Sequence, residues 1–162
     1  MDTSGRGSSH RDTAWRENTY ALACRRLGTR LRSQTVIAAP EIGAIGYFCP
    51  ATILDTVGLI TPGLARYYPV PPTQLAANTA IPAALIAARK PEYIITLEAF
   101  ARYSLLPNPG FRQHYIQILR LNSSAFGSHG LLVFQHRARR MQLAAGRYLS
   151  HTLLSGGFNH VA

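Results

Sequence analysis

Cysteine, lysine, acidic residues and long apolar runs are all scarce in this sequence, and each scarcity excludes something. Cysteine occurs only at positions 24 and 49, which excludes a framework of several disulfides and disfavours a zinc site built mainly on thiolates. The most apolar stretch, Leu75 to Ala88, is broken by Asn78, Thr79 and Pro82, and it falls short of the roughly 18 uninterrupted apolar residues that a spanning helix needs. The opening MDTSGRGSSHRDT has no apolar core of the kind a secretory signal carries, so no export signal is expected from it. Hydrophobic residues still make up 47 % of the 162 residues, ordinary for a packed core, and this argues against a wholly disordered chain. One domain is the expectation for this length.

The charge is unevenly spread. Lysine and arginine number 17 against 7 acids, a formal charge of +10, and Lys90 is the one lysine. Residues 1–34 carry seven arginines against three acids, residues 135–162 four arginines and no acid, and the central hundred residues six bases against four acids. A solvated, arginine-rich flank is the simplest account, an acidic lipid or protein partner the next, and nucleic acid the least favoured. Arg137, Arg139 and Arg140 form a small cluster, but it lacks the interleaved aromatics of an RNA-binding sheet.

Residues 1–11, rich in Ser, Gly and Arg, are expected to form a disordered basic arm. From residue 12 the pattern changes. Tyr20, Ala23, Cys24, Leu27 and Leu31 recur at the spacing of one helix face, with Asp12 or Thr13 as the N-cap and Gly28 near the end. Short strands are expected at Thr35 to Ala39, at Thr52 to Leu54, and at Tyr93 to Leu97, with helices at Ile81 to Arg89 and Glu98 to Ser104. Tyr115 to Leu121 and Leu131 to His136 are close enough to form an antiparallel hairpin at one edge. Strands alternating with helices predict an α/β fold: a small, mostly parallel sheet flanked by helices. The single domain is expected over residues 12–136, with Ile37, Ile45, Leu54, Leu85, Ile94 and Ile95 in its core. Residues 137–162 read as a basic tail, partly helical.

Chemistry is sparse. Gly43 and Gly46, in EIGAIGY, lack the spacing of a dinucleotide or mononucleotide phosphate loop, so they are expected to serve a tight turn and close packing. Asp55 ends a strand at the carboxyl edge of the expected sheet, where α/β folds place ligands, although it can equally cap the turn Thr56 to Leu59. Glu41 and Tyr47 face the same edge in this reading, so Glu41, Tyr47 and Asp55 make a candidate binding crevice, with Arg66 able to offset the paired acids. The six histidines show no metal-ligand spacing and read as exposed loop residues. No nucleophile elbow or catalytic triad order is present. No catalytic residue, metal or cofactor is expected.

The run VIAAPEIGAIGYFCPATILDTVGLITP, Val36 to Pro62, resembles the extracytoplasmic domain of large bacterial membrane glycosyltransferases of the GT-C type, relatives of dolichyl-phosphate-mannose protein mannosyltransferase and aminoarabinose transferase. Ile42 to Phe48, with Gly43 and Gly46, then Leu54-Asp55, then Gly58-Leu59, follow the family's order. Lys90, Pro91, Glu92 and Tyr93 to Ile95 resemble its "KPDYIV" segment, with Glu92 in place of Asp. The resemblance covers about Thr35 to Leu121. It implies a small α/β domain on the outer face of a bacterial membrane, whereas the polar N-terminus implies the cytoplasm for the chain expressed as it stands. Because the family's catalytic carboxylate belongs to its membrane half, the resemblance carries no catalytic residue over to this chain.

Three readings compete. The first is a non-catalytic domain related to these glycosyltransferases that binds a glycan, a polyprenyl-linked acceptor or a membrane protein. The second is a cytosolic, arginine-rich, nucleic-acid-associated protein, and the third a small α/β enzyme with an acidic crevice. The first fits the residues best.

Overall fold

A computed structural model describes residues 6–141, with side chains from Arg16 onward. Helix α1 (Arg6–Leu27) leads, followed by β1 (Val36–Ala39), α2 (Ile42–Phe48), β2 (Thr52–Asp55), α3 (Ala83–Arg89), β3 (Tyr93–Leu97), α4 (Pro109–His114), β4 (Tyr115–Leu121) and β5 (Leu131–His136). The five strands form one sheet in the order β2-β1-β3-β5-β4. The fold is therefore α/β, as expected. Its sheet is more evenly mixed than expected: β1 pairs in parallel with β2 and β3, while β5 runs antiparallel to both β3 and β4. The hairpin does close one edge, but β5 inserts next to β3 and leaves β4 outermost.

The crossover from β1 to β2 and the crossover from β2 to β3 step in opposite directions across the sheet. Since such crossovers are right-handed, α2 and α3 fall on opposite faces of the sheet. Helix α1 packs on α2, and α4 packs beside α3. This sandwiching explains why every residue of β3, YIITL, is buried, a pattern typical of parallel strands covered on both sides. Ile37, Ile45, Leu54, Ile94 and Ile95 lie in one buried cluster, and Leu85 is buried on α3.

Helix α1 buries the expected stripe of Tyr20, Ala23, Cys24 and Leu27, with Leu31 just beyond it, and leaves Arg25 and Arg26 exposed. It stops at Gly28, whose φ of +52° is the left-handed turn that glycine adopts without a steric penalty. Its start differs from expectation. The helix begins at Arg6, so Asp12 and Thr13 lie inside it rather than capping it, and residues 6–11 of the expected disordered arm are its first turns. Once a turn exists, each further residue adds a hydrogen bond for only two dihedrals fixed, which lets a helix run past its packed portion. Residues 1–5 of that arm lie outside the described residues.

Three other expectations change. EIGAIGYF is not a turn but contains helix α2. The helix expected from Glu98 to Ser104 is a single 3-10 turn, Glu98–Phe100, because the backbone closes tight turns (Ala101 N–H to the Glu98 carbonyl, Ser104 N–H to the Ala101 carbonyl) while the N–H groups of Glu98 and Ala99 are drawn across to the Gly130 carbonyl and Ser128 Oγ. Helix α4 was not expected at all, although Asn108 caps it through Phe111 N–H at 2.9 Å and Pro109 opens it, a recognisable start signal. Of the basic tail, residues 137–141 are helical and the remainder lies outside the described residues. No helix among the described residues is long and apolar enough to cross a membrane.

The cysteines are paired. Cys24 on α1 and Cys49 at the end of α2 form a disulfide with Cα atoms 5.1 Å apart. Two cysteines do not make a scaffold, but they do clamp the first helix onto the first crossover.

Candidate functional site

The carboxyl edge of the parallel strands is where the sequence places a crevice. Ala39 pairs with Asp55 across the β1–β2 ladder, so Glu41 and Asp55 do emerge at the same edge. Their carboxylates are then drawn to different partners. Glu41 precedes α2 and accepts from Tyr20 Oη at 2.5 Å, with Arg16 at 3.2 Å. Both partners come from α1. Burial first, and the adjacent Glu41 carboxylate second, push the Tyr20 hydroxyl well above its ordinary range, so it stays protonated and donates.

Asp55 is fully buried. One carboxylate oxygen accepts from Val57 N–H at 2.9 Å and Gly58 N–H at 3.2 Å, and the other from Ile60 N–H at 2.8 Å. Its own N–H donates to Thr61 Oγ1 at 3.0 Å. Three backbone donors around one anion are the compensation a buried carboxylate needs. Arg66 does not supply it; its guanidinium lies 5.0 Å from the Tyr67 ring centroid. Gly58, at φ +91° with the Leu64 side chain 3.6 Å from where a Cβ would stand, is a position that requires glycine. Tyr68 donates its hydroxyl to the Thr56 carbonyl, and burial, with Asp55 as a second cause, raises its pKa.

Tyr47 is 83 % exposed and meets Phe48 edge-on. It takes no part in a crevice with the two acids, because it sits on the last turn of α2, which runs away from that edge. Gly43 and Gly46 are exposed on α2, and a Cβ added at either would meet nothing within 4 Å. Neither serves a turn or a close approach. Pro91 is buried and its carbonyl accepts from Tyr115 Oη at 2.9 Å, tying the start of β3 to β4. The four motif positions thus have unlike roles: Gly58 and Pro91 shape the chain, while Gly43 and Gly46 are merely small.

What the carboxyl edge presents instead is apolar. The loop wrapped around the Asp55 carboxylate leaves Leu59 76 % and Ile60 62 % exposed. A second feature, unforeseen in the sequence, lies between α3 and α4: a cavity of about 370 Å³ that includes Ala83, Ala87, Phe111 and His114 in its lining. A smaller one of about 190 Å³ adjoins it, reaching Lys90 and His136. His114 and His136 stack there with ring centroids 6.0 Å apart; His114 is exposed, as expected, but the pair stands on α4 and β5 rather than in loops, and His136 is half-buried. Burial, then His114 and Lys90, lower the His136 pKa. The strand pairing of Tyr115 with His136 brings these two histidines together, and no local sequence spacing signals it. No cluster of metal-ligating side chains occurs among the described residues.

No curated protein and no solved structure matches the chain. Residues 11–151 match the model of a protein family described as a Domain of unknown function (DUF8728), and with most of its length so covered, the chain belongs to that family.

Proposed function

We propose that this chain is a non-catalytic binding module of the kind found in the extracytoplasmic domains of GT-C membrane glycosyltransferases, working at a membrane surface on a lipid-linked acceptor or a membrane protein. The observation that carries this reading is the loop after β2. Asp55 holds its backbone through three N–H groups, so Leu59 and Ile60 are presented by a braced loop rather than a slack one.

The surroundings of that tip fit a bilayer surface. Residues 56–88, which carry the tip, contain no acid, and Arg66, with Tyr67 beside it, combines the charge and aromatic ring that settle at the headgroup level. Burying two aliphatic side chains contributes about 1.5–3 kcal/mol each, and a cation near an anionic leaflet about 1 kcal/mol. Such contact is reversible and suits a module that is also held by a partner. The disulfide supports an oxidising compartment. The carboxylates of Glu41 and Asp55 are both engaged within the fold, which argues against an acid–base pair at this edge.

Vesicle flotation tests the reading. The protein is expected to float with phosphatidylcholine vesicles containing phosphatidylglycerol and less with phosphatidylcholine alone. The double variant Leu59→Ser, Ile60→Ser keeps the backbone donors to Asp55 and should lose most of the bound fraction. Equal flotation of the folded double variant and the wild type overturns the proposal, as does transfer of a sugar from a polyprenyl phosphate by this chain alone.

A further inference from the structure

The Lys90 end of the groove between α3 and α4 lies at the opposite edge of the sheet from the Leu59–Ile60 loop, since Lys90 precedes β3 whereas Asp55 ends the parallel β2. It is open because α3 presents alanine at 83, 84 and 87 toward α4, side chains too short to fill the gap between two helices. Its floor is apolar. Phe111 stacks on Tyr115 at 5.1 Å between centroids and meets Phe134 edge-on at 5.1 Å. The Tyr115 hydroxyl is turned aside to the Pro91 carbonyl.

The far end is built differently. Lys90, in the left-handed conformation at φ 46° that ends α3, lines the smaller cavity with His114 and His136. The two cavities share Ile86, Ala87, His114 and Tyr115, so they form one trough. No acid lines either cavity among the described residues, and Glu92, close by in sequence, is paired with Arg139 at 3.2 Å. A trough of this size falls within the roughly 300–1,000 Å³ of small-molecule sites, and its chemistry is graded from apolar to cationic along its length.

We propose that this groove binds a small amphiphile with one anionic head, its alkyl or aryl body over Ala87, Ile86 and Phe111 and its carboxylate or phosphate among Lys90, His114 and His136. The apolar body gains by leaving water. The head gains a charge-assisted hydrogen bond from Lys90 and further donors from the imidazoles. The proposal does not rest on membrane contact, because Leu59 and Ile60 line neither cavity.

Calorimetric titration with octyl phosphate, octanoate, octyl glucoside and inorganic phosphate, each below its micellar concentration, tests it. Octyl phosphate or octanoate should bind saturably, at least about tenfold tighter than octyl glucoside or inorganic phosphate, a difference of about 1.4 kcal/mol. Which of the two anions binds tighter assigns the head. Lys90→Gln should remove that preference while sparing octyl glucoside, and Ala87→Trp should block all alkyl ligands by filling the trough. Absence of saturable binding, equal affinity for charged and uncharged heads, or an unchanged preference in Lys90→Gln overturns the proposal. If Ala87→Trp fails to fold, Lys90→Gln decides the matter. The Leu59→Ser, Ile60→Ser variant should bind octyl phosphate like the wild type.

Discussion

Cys24 on the buried face of α1 and Cys49 at the end of α2 are joined covalently across 25 residues of sequence, and the same helix pair places Tyr20 and Arg16 on Glu41. Closing a loop of that length removes conformations from the unfolded chain. A disulfide of this kind stabilises by about 2–4 kcal/mol. Cys24→Ala, Cys49→Ala should therefore unfold at lower denaturant than the oxidised protein, and a reducing agent should shift the wild-type midpoint but not that of the variant.

Asp55→Asn is expected to be harmful, although asparagine caps turns nearly as well as aspartate. Asp55 accepts through both carboxylate oxygens, and an amide nitrogen at either place sets a donor against a buried N–H. Leaving such a group unsatisfied costs about 1–3 kcal/mol. Urea unfolding measures this, and a loss below about 0.5 kcal/mol, as at an ordinary surface position, would contradict the buried geometry.

Gly46→Ala should stabilise the protein. The site is exposed within α2, and a Cβ there meets nothing, so the substitution gains helix propensity of about 0.5–1 kcal/mol. A higher melting temperature is the expected result. Gly58→Ala should do the reverse, because φ of +91° strains any residue with a side chain.

The Glu98 carboxyl is held below its ordinary pKa, chiefly by the Arg102 hydrogen bonds and then by the His129 N–H, against an opposing effect of burial. A carboxylate whose pKa is lower folded than unfolded contributes stability that is complete above the unfolded pKa and vanishes as pH falls through the folded one. Glu98→Gln should thus be less stable than wild type near neutral pH, and the difference should shrink on acidification below the ordinary glutamate range. A constant difference across pH would assign the effect to packing.

The elements legible in the sequence are those whose residues declare their surroundings locally. The uncharged, β-branched run YIITL of β3 implies cover on both faces, and the stripe Tyr20, Ala23, Cys24, Leu27 implies one buried helix face. Helix α2 was illegible for the opposite reason: seven residues with two glycines have little intrinsic helicity, and the crossover from β1 to β2, not propensity, makes the segment coil. Helix α4 left a legible cap, Asn108 and Pro109, but its six residues are too few for periodicity.

For the site the division is sharper. That Asp55 stands at the end of a strand with turn-forming residues after it followed from residue order alone, because hydrogen bonds to Val57, Gly58 and Ile60 are local. The separation of Glu41 from Asp55, the Cys24–Cys49 bond and the meeting of His114 with His136 are products of tertiary structure. Each joins segments that only packing or strand pairing brings together. Local chemistry can be read along a chain, but which carboxylate meets which donor depends on distances through space, and those are set by how α1 lies on α2 and how β5 inserts between β3 and β4.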